Sequence, residues 1–325
     1  MSTFSPELTF VPVTAPYHFT DQASVESVVT HVNNSIIAIS AIAAMMFRAK
    51  VEPFHLEEYG RPGSAYGWCV EVTPTALCPL ETEWLKKGDE SYTSVMDTLT
   101  ALFKVLREDH GLVPSVTKKS RKSGRQVIKT YPTGGCHFHF QPEFFTESVN
   151  WYKDMESYHR ALITDYANRP YIRWLLAEWS DNHNSECLVN KQDLKNASEI
   201  DSDYLFRRAI HDNVSIRPRF MNGLKTTYFT FELRFVRMLE SAEEVRAVAI
   251  LLDTWMRFIF NYEFLGGTEF NLTPDKFRSM CRVKSAEKIV QKWLDEIGID
   301  GKIQGILMNL FERNYVTRIK NGKMV

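Results

Sequence analysis

Cysteine is scarce and irregularly placed in this chain, with five residues among 325. An odd number without regular spacing argues against a disulfide framework and predicts a reducing compartment. An excess of charge of one sign is missing too. Lys and Arg number 39 against 40 Asp and Glu, for a formal net charge of −1, which removes any global electrostatic case for a nucleic acid or an anionic membrane as partner. Long apolar runs are absent as well. The most apolar one, Ile36 to Phe47, is too short and too alanine-rich to span a bilayer, and it reads as a buried helix. The stretch Met1–Pro16 has neither the basic start nor the apolar centre of a signal peptide. No internal repeat, low-complexity tract or interdomain linker stands out. These absences predict a cytoplasmic protein.

What is present is an ordinary globular composition, 44% apolar and 24% charged, in a chain long enough for one large domain or two of average size. Patterning predicts a strand in Glu7–Val13 and an apolar helix from about Ser24 to Ala49. A hairpin-like pair follows, Val51–Glu58 and Ala65–Pro74, around Gly60-Arg61-Pro62-Gly63. The next helix, about Glu90–His110, carries Val95, Leu99, Leu102 and Leu106 on one stripe. The segment Lys118–Arg125 is a basic, glycine-containing loop ahead of a strand Gln126–Tyr131. It is either a solvated hairpin tip or a flexible clamp over an anionic ligand. Residues 147–179 read as helical with a break at Arg169-Pro170, and Asp203–His211 as a short helix. Strands Val214–Phe220 and Tyr228–Val236 are joined through Asn222-Gly223. A long helix, Ser241 to about Tyr262, opens with Glu243 and Glu244 in its first turn, and two or three amphipathic helices occupy Thr273–Asn314. The expected fold is α+β: a curved antiparallel sheet with one polar, ligand-binding face and helices on the other. Residues 1–265 form its main domain and 266–325 a helical C-terminal appendage.

The chemistry centres on Gly134-Gly135-Cys136-His137-Phe138-His139-Phe140. Residues i and i+2 of a strand share a face about 7 Å apart, so His137 and His139 lie on one side and Phe138 and Phe140 on the other. Cys136 points away from the histidines and reads as a buried structural cysteine. Three further strands repeat the layout, offering Cys69 and Glu71, Arg217 and Arg219, and Glu232 and Arg234 opposite apolar residues. Carboxylates and imidazoles suit a divalent cation, and guanidinium forks suit phosphate or carboxylate oxygens. The plainer alternatives are two half-buried, hydrogen-bonded histidines and cross-strand ion pairs of small energetic worth.

The succession Val70-Glu71-Val72-Thr73-Pro74, a long helix, Gly135-Cys136-His137-Phe138-His139-Phe140, helices, and Phe231-Glu232-Leu233-Arg234-Phe235 resembles the amidoligases. These are members of the carboxylate–amine ligase superfamily that also holds glutamate–cysteine ligase and glutamine synthetase, and bacteriophages encode several branches. The resemblance covers roughly residues 50–262. It implies an antiparallel sheet around an ATP–magnesium site that joins a carboxylate to an amine through an acyl phosphate. It further implies Glu71 and Glu232 as magnesium ligands, with His137 as a further ligand or a phosphate contact and His139 lining the site. Arg234 would hold the γ-phosphate or the substrate carboxylate, and Arg217 or Arg219 would neutralise phosphate charge. On the clamp reading of the basic loop, Lys122 and Arg125 would reach the nucleotide. A phage-encoded member would act in the host cytoplasm.

The family's opening Gly-x-Glu-x-Glu strand is missing. Its place could be taken by Glu52 with Glu57 or Glu58, or by Glu7; alternation in Val51–Glu58 favours Glu57. The gap keeps two other readings open. One is a zinc hydrolase built from Cys69, Glu71, His137 and His139 with Glu232 as base. The other is a non-catalytic structural or binding protein on a retired ligase fold, such as a phage particle component. The carboxylate and amine substrates, which in the family are amino acids, peptides or protein side chains, are left open, as is the oligomeric state.

Overall fold

Alternation of apolar and polar residues builds the centre of the molecule. The computed structural model describes residues 2–14, 18–55, 66–75, 78–79, 95–114, 116–122, 125–131, 135–142, 158–159, 161–162, 165–166, 170–176, 216–222, 227–237, 239–261 and 283–313. Its strands are β1 (Thr3–Pro12), β2 (Phe47–His55), β3 (Tyr66–Pro74), β4 (Cys78–Pro79), β5 (Leu112–Val113), β6 (Val116–Lys122), β7 (Arg125–Tyr131), β8 (Gly135–Gln141), β9 (Ile216–Asn222) and β10 (Thr227–Arg237). The helices are α1 (Gln22–Ile39), α2 (Ala41–Met46), α3 (Val95–Glu108), α4 (Pro170–Leu176), α5 (Ala242–Ile259), α6 (Val283–Glu296) and α7 (Gly301–Phe311). The main sheet runs β2-β3-β1-β8-β10-β9, with β4 and β5 added along β1, and its neighbours pair antiparallel. The α+β expectation therefore holds at the level of an open antiparallel sheet with helices.

Register assigns each residue type to a face. Phe4 stands opposite Phe140, Phe140 opposite Phe231, and Leu8 between Val72 and Cys136. All of these are buried, as are Phe10, Val70, Phe138 and Leu233. This face is covered by helices: α1 packs on β2 and β3, and α4 on β10. Helix α5 contributes Val245, Val248, Leu252, Trp255, Met256 and Ile259 to the same core. It starts on an N-cap, the Ser241 hydroxyl accepting from the Glu244 N–H. Helices α6 and α7, in the region expected as an appendage, join this core through Val290, Leu294, Leu307 and Phe311. Beyond α7, both terminal nitrogens of Arg313 donate to the two carboxylate oxygens of Glu244, at 2.7 and 2.9 Å.

Three expectations need correction. The helix expected over 24–49 is two helices and the start of a strand. Ser40 adopts an extended backbone and its hydroxyl caps α2 through the Ala43 N–H. Phe47, Arg48 and Ala49 pair with Pro74, Thr73 and Val72, so cross-strand pairing overrides local helix preference there. The basic loop is the second departure: Lys118–Lys122 lie on β6, which forms a separate two-stranded ribbon with β7. Third, alternation in β10 holds through Phe235, with Glu232 and Arg234 together on the polar side, and breaks at Val236, which joins the core. A bulge sets Arg234 and Phe235 against the single residue His137 before Val236 rejoins the register opposite Cys136. The expected turn at 60–63, the helix start at 90–94, the helical segment 147–157 and the helix 203–211 lie outside the described residues.

His159 is a buried group with a measurable consequence. One ring nitrogen, Nε2, lies 2.8 Å from the Ile216 carbonyl, and the ring stacks on Phe231. Burial pushes its pKa down to about 4, against an ordinary 6.5, and the bond to the carbonyl opposes this only in part. Between those values the unfolded chain binds a proton that the folded chain refuses. Stability from this group is therefore complete above pH 6.5 and is lost as pH falls towards 4, by up to about 3 kcal/mol. We expect urea denaturation of His159→Gln to show a flatter pH dependence in that window than the wild type. An unchanged slope would assign the dependence to other groups.

Candidate functional site

The polar face is densest where β1, β8 and β10 run side by side. Glu7 of β1 stands opposite His137 of β8, and Glu232 of β10 opposite His139. Side chains of such directly opposed residues meet on one face of the sheet. His137 Nδ1 is hydrogen-bonded to Glu7 Oε2 at 3.1 Å and also lies 3.7 Å from Glu232 Oε1. Its ring thus sits between two carboxylates. Ligand atoms of Glu7, His137 and Glu232 all lie within 4.8 Å of one another, and this is the one such His/Cys/Asp/Glu group among the described residues.

The neighbours fix this arrangement. His139 is almost wholly buried, with Nδ1 3.3 Å from Thr230 Oγ1. Its Nε2 is 3.3 Å from Glu7 Oε1 but off the hydrogen-bond direction. Arg234 brings Nε to 3.4 Å from Glu232 Oε1, on the side that alternation assigns it. Burial alone would raise the Glu7 carboxyl, but the hydrogen bond from His137 and the charge of both imidazoles override it and hold that carboxyl well below the usual range. Glu7 is therefore ionised at any working pH. Glu232 lies beside it at 2% exposure, so two carboxylates converge in a poorly solvated place. Like charges so arranged call for a cation, either a protonated imidazole or a metal.

Glu71 lies one strand beyond Glu7, opposite Thr9 on one side and Lys50 on the other. Its Oε2 forms an ion pair with Lys50 Nζ at 2.6 Å, and the same ammonium is 3.7 Å from Glu52 Oε2. Burial, with the charge of Glu7, raises the Glu71 pKa against the pull of Lys50. Cys69, also on β3, is buried against Val11 and Val113, and its thiol donates to the Glu52 carbonyl at 3.2 Å. Burial pushes the thiol's pKa far up, which disfavours the thiolate that zinc requires. Cys136 is buried in the helix-backed core, as alternation predicts.

Of the remaining expected site residues, Arg217 and Arg219 occupy β9 positions opposite Glu232 and Thr230. Lys122 and Arg125 stand opposite each other at one end of the β6–β7 ribbon. Glu57, the carboxylate favoured for the missing first strand, lies outside the described residues. Glu52, offered with it, pairs with Lys50 instead, and Glu7, a further candidate for that place, is the carboxylate that meets the histidines. Lys50 was not singled out from the sequence. Its signal was the alternation Ala49-Lys50-Val51-Glu52, obscured where the expected helix ran to Ala49. No protein-family model, curated protein or solved structure matches the chain.

Proposed function

We propose that the chain is an ATP-dependent carboxylate–amine ligase working with a divalent cation, magnesium in the cell, bound by Glu7, His137 and Glu232. The observation behind the cation in this reading is the convergence of those three ligand atoms within 4.8 Å on one sheet face, and the ATP and ligase chemistry comes from the resemblance of the strand motifs. The donor set fits: two carboxylates supply hard oxygens for magnesium or manganese, and the imidazole already sits between them. Buried His139, whose Nε2 is off line from Glu7, suits a wall of the same site. Glu7 takes the role of the missing family strand. When bound, the cation supplies charge neutralisation to the phosphoryl group of ATP on its way to the substrate carboxylate.

The chain's own residues do the rest. Arg234, beside Glu232, neutralises the γ-phosphate or positions the carboxylate to be activated. Arg217 and Arg219, at β9 positions opposite Glu232 and Thr230, and Lys122 and Arg125 on the ribbon are further candidates for phosphate contacts. The substrate carboxylate would take the γ-phosphoryl group with ADP leaving. The amine would then attack the acyl carbon, expelling inorganic phosphate and losing a proton to solvent, so no protein nucleophile is needed. A cytoplasmic setting, with ATP and reduced thiols at hand, fits this chemistry. A zinc hydrolase using Cys69 is disfavoured by the buried thiol.

A thermal-shift titration with ATP and magnesium, paired with phosphate release in pooled amines and carboxylates, tests the proposal. Wild type should be stabilised by nucleotide plus metal and should turn over. Glu232→Gln should lose turnover by about 100-fold or more, as for removal of a group that stabilises transition-state charge. Absence of both nucleotide stabilisation and turnover in the wild type would instead favour a binding protein on a retired ligase fold.

A further inference from the structure

We propose that Lys50 is a built-in cation standing where a second metal ion would otherwise be needed, so that the site holds one divalent metal. The inference rests on the ligase reading and specifies the metal content of that same site. By family resemblance Glu71 would be a metal ligand, yet it lies outside the Glu7–His137–Glu232 group and meets an ammonium instead. Lys50 Nζ touches Glu71 Oε2 at 2.6 Å and lies 3.7 Å from Glu52 Oε2, so one fixed positive charge serves the buried carboxylate and approaches a second.

The position follows from the sheet. Lys50 and Glu71 are directly opposed across β2 and β3, and Glu71 is offset by two residues from Glu7 across β3 and β1. Such diagonal neighbours lie about 7–8 Å apart, close enough for the two charges to act on each other. Glu71 is only 7% exposed, so its charge needs a partner there. A magnesium ion at the same oxygen would sit about 2.0–2.1 Å away, and ammonium and metal cannot both occupy that approach. Lys50 reaches in from a half-exposed position on a flexible stem, so the charge is supplied without a metal binding step. Its role is positioning: it sets the charge of Glu71 beside the metal group.

Manganese binding, read by calorimetry and by electron paramagnetic resonance of free Mn2+, tests the inference without requiring turnover. Wild type should saturate at about one Mn2+ per chain, Lys50→Gln at about two, and Lys50→Gln/Glu71→Gln at about one again. Lys50→Arg, which keeps the charge, should stay at the wild-type stoichiometry. A second Mn2+ in the wild type overturns the inference and leaves the ligase reading intact. The same holds if folded Lys50→Gln gains none, because Lys50 is then a structural ion pair only. If Lys50→Gln does not fold, Lys50→Met, which keeps the apolar stem without the charge, takes its place, and a failure to gain Mn2+ in it overturns the inference. Absence of any Mn2+ in the wild type overturns the underlying site reading, and the inference with it.

Discussion

Glu7→Gln is expected to lower Mn2+ affinity by at least about 100-fold while leaving the far-ultraviolet circular dichroism spectrum unchanged. Both carboxylate oxygens of Glu7 are engaged, Oε2 with His137 Nδ1 at 3.1 Å and Oε1 near His139 Nε2 at 3.3 Å. The amide keeps the shape but removes the negative charge, and it turns one acceptor into a donor facing an imidazole. The cation then loses a ligand and half of the local carboxylate charge together. Acid stability should change as well. The folded-state pKa of Glu7 lies below its ordinary 4.5, so its contribution is present above 4.5 and is lost as pH falls below it. Glu7→Gln should remove that loss, in a window separate from that of His159. Affinity within about threefold of wild type would move the metal away from Glu7 and remove the main support for the proposed function.

The faces of the strands were legible in the sequence; their neighbours were not. Alternation in Cys136–Phe140 and Phe231–Leu233 placed His137, His139 and Glu232 on one side, because side-chain direction along a strand is a local property. Which strand lies beside the histidines depends on pairing between residues 130 positions apart, as for Glu7 and His137. Alternation carries no information about that distance, so Glu57 and Glu7 were equally admissible in kind. Local signals also competed with pairing. The alanine-rich stretch before Phe47 favours helix, and only contact with Val72–Pro74 draws Phe47–Ala49 into β2. Lys50 was hidden by the same competition. The bulge at Arg234 and Phe235 follows from how β10 must fit both β8 and the core behind it, which a single strand's pattern cannot express.

That bulge motivates the largest stability effect we expect. Phe235, next to Arg234, is buried on the core side, 4.5 Å from the Tyr166 ring and edge-on to Trp255 at 6.3 Å. Trp255 on α5 is fully buried, and its indole N–H donates to Asp165 Oδ2 at 2.7 Å. Trp255→Ala opens a large cavity behind the bulge and should cost about 3–5 kcal/mol in urea unfolding. Trp255→Phe keeps an aromatic ring but deletes the donor, and should cost about 1–3 kcal/mol because a buried acceptor loses a partner. The two variants separate volume from hydrogen bonding. They also test whether the core positions Arg234 from behind. If it does, Trp255→Ala should weaken nucleotide stabilisation more than Mn2+ binding, since two of the three metal ligands, Glu7 and His137, lie on other strands, while Arg234 lies next to Phe235, which packs on Trp255. Equal loss of both would mean that the cavity disturbs the whole sheet. A Trp255→Phe protein as stable as the wild type would show that the Asp165 carboxylate is held well enough without the indole.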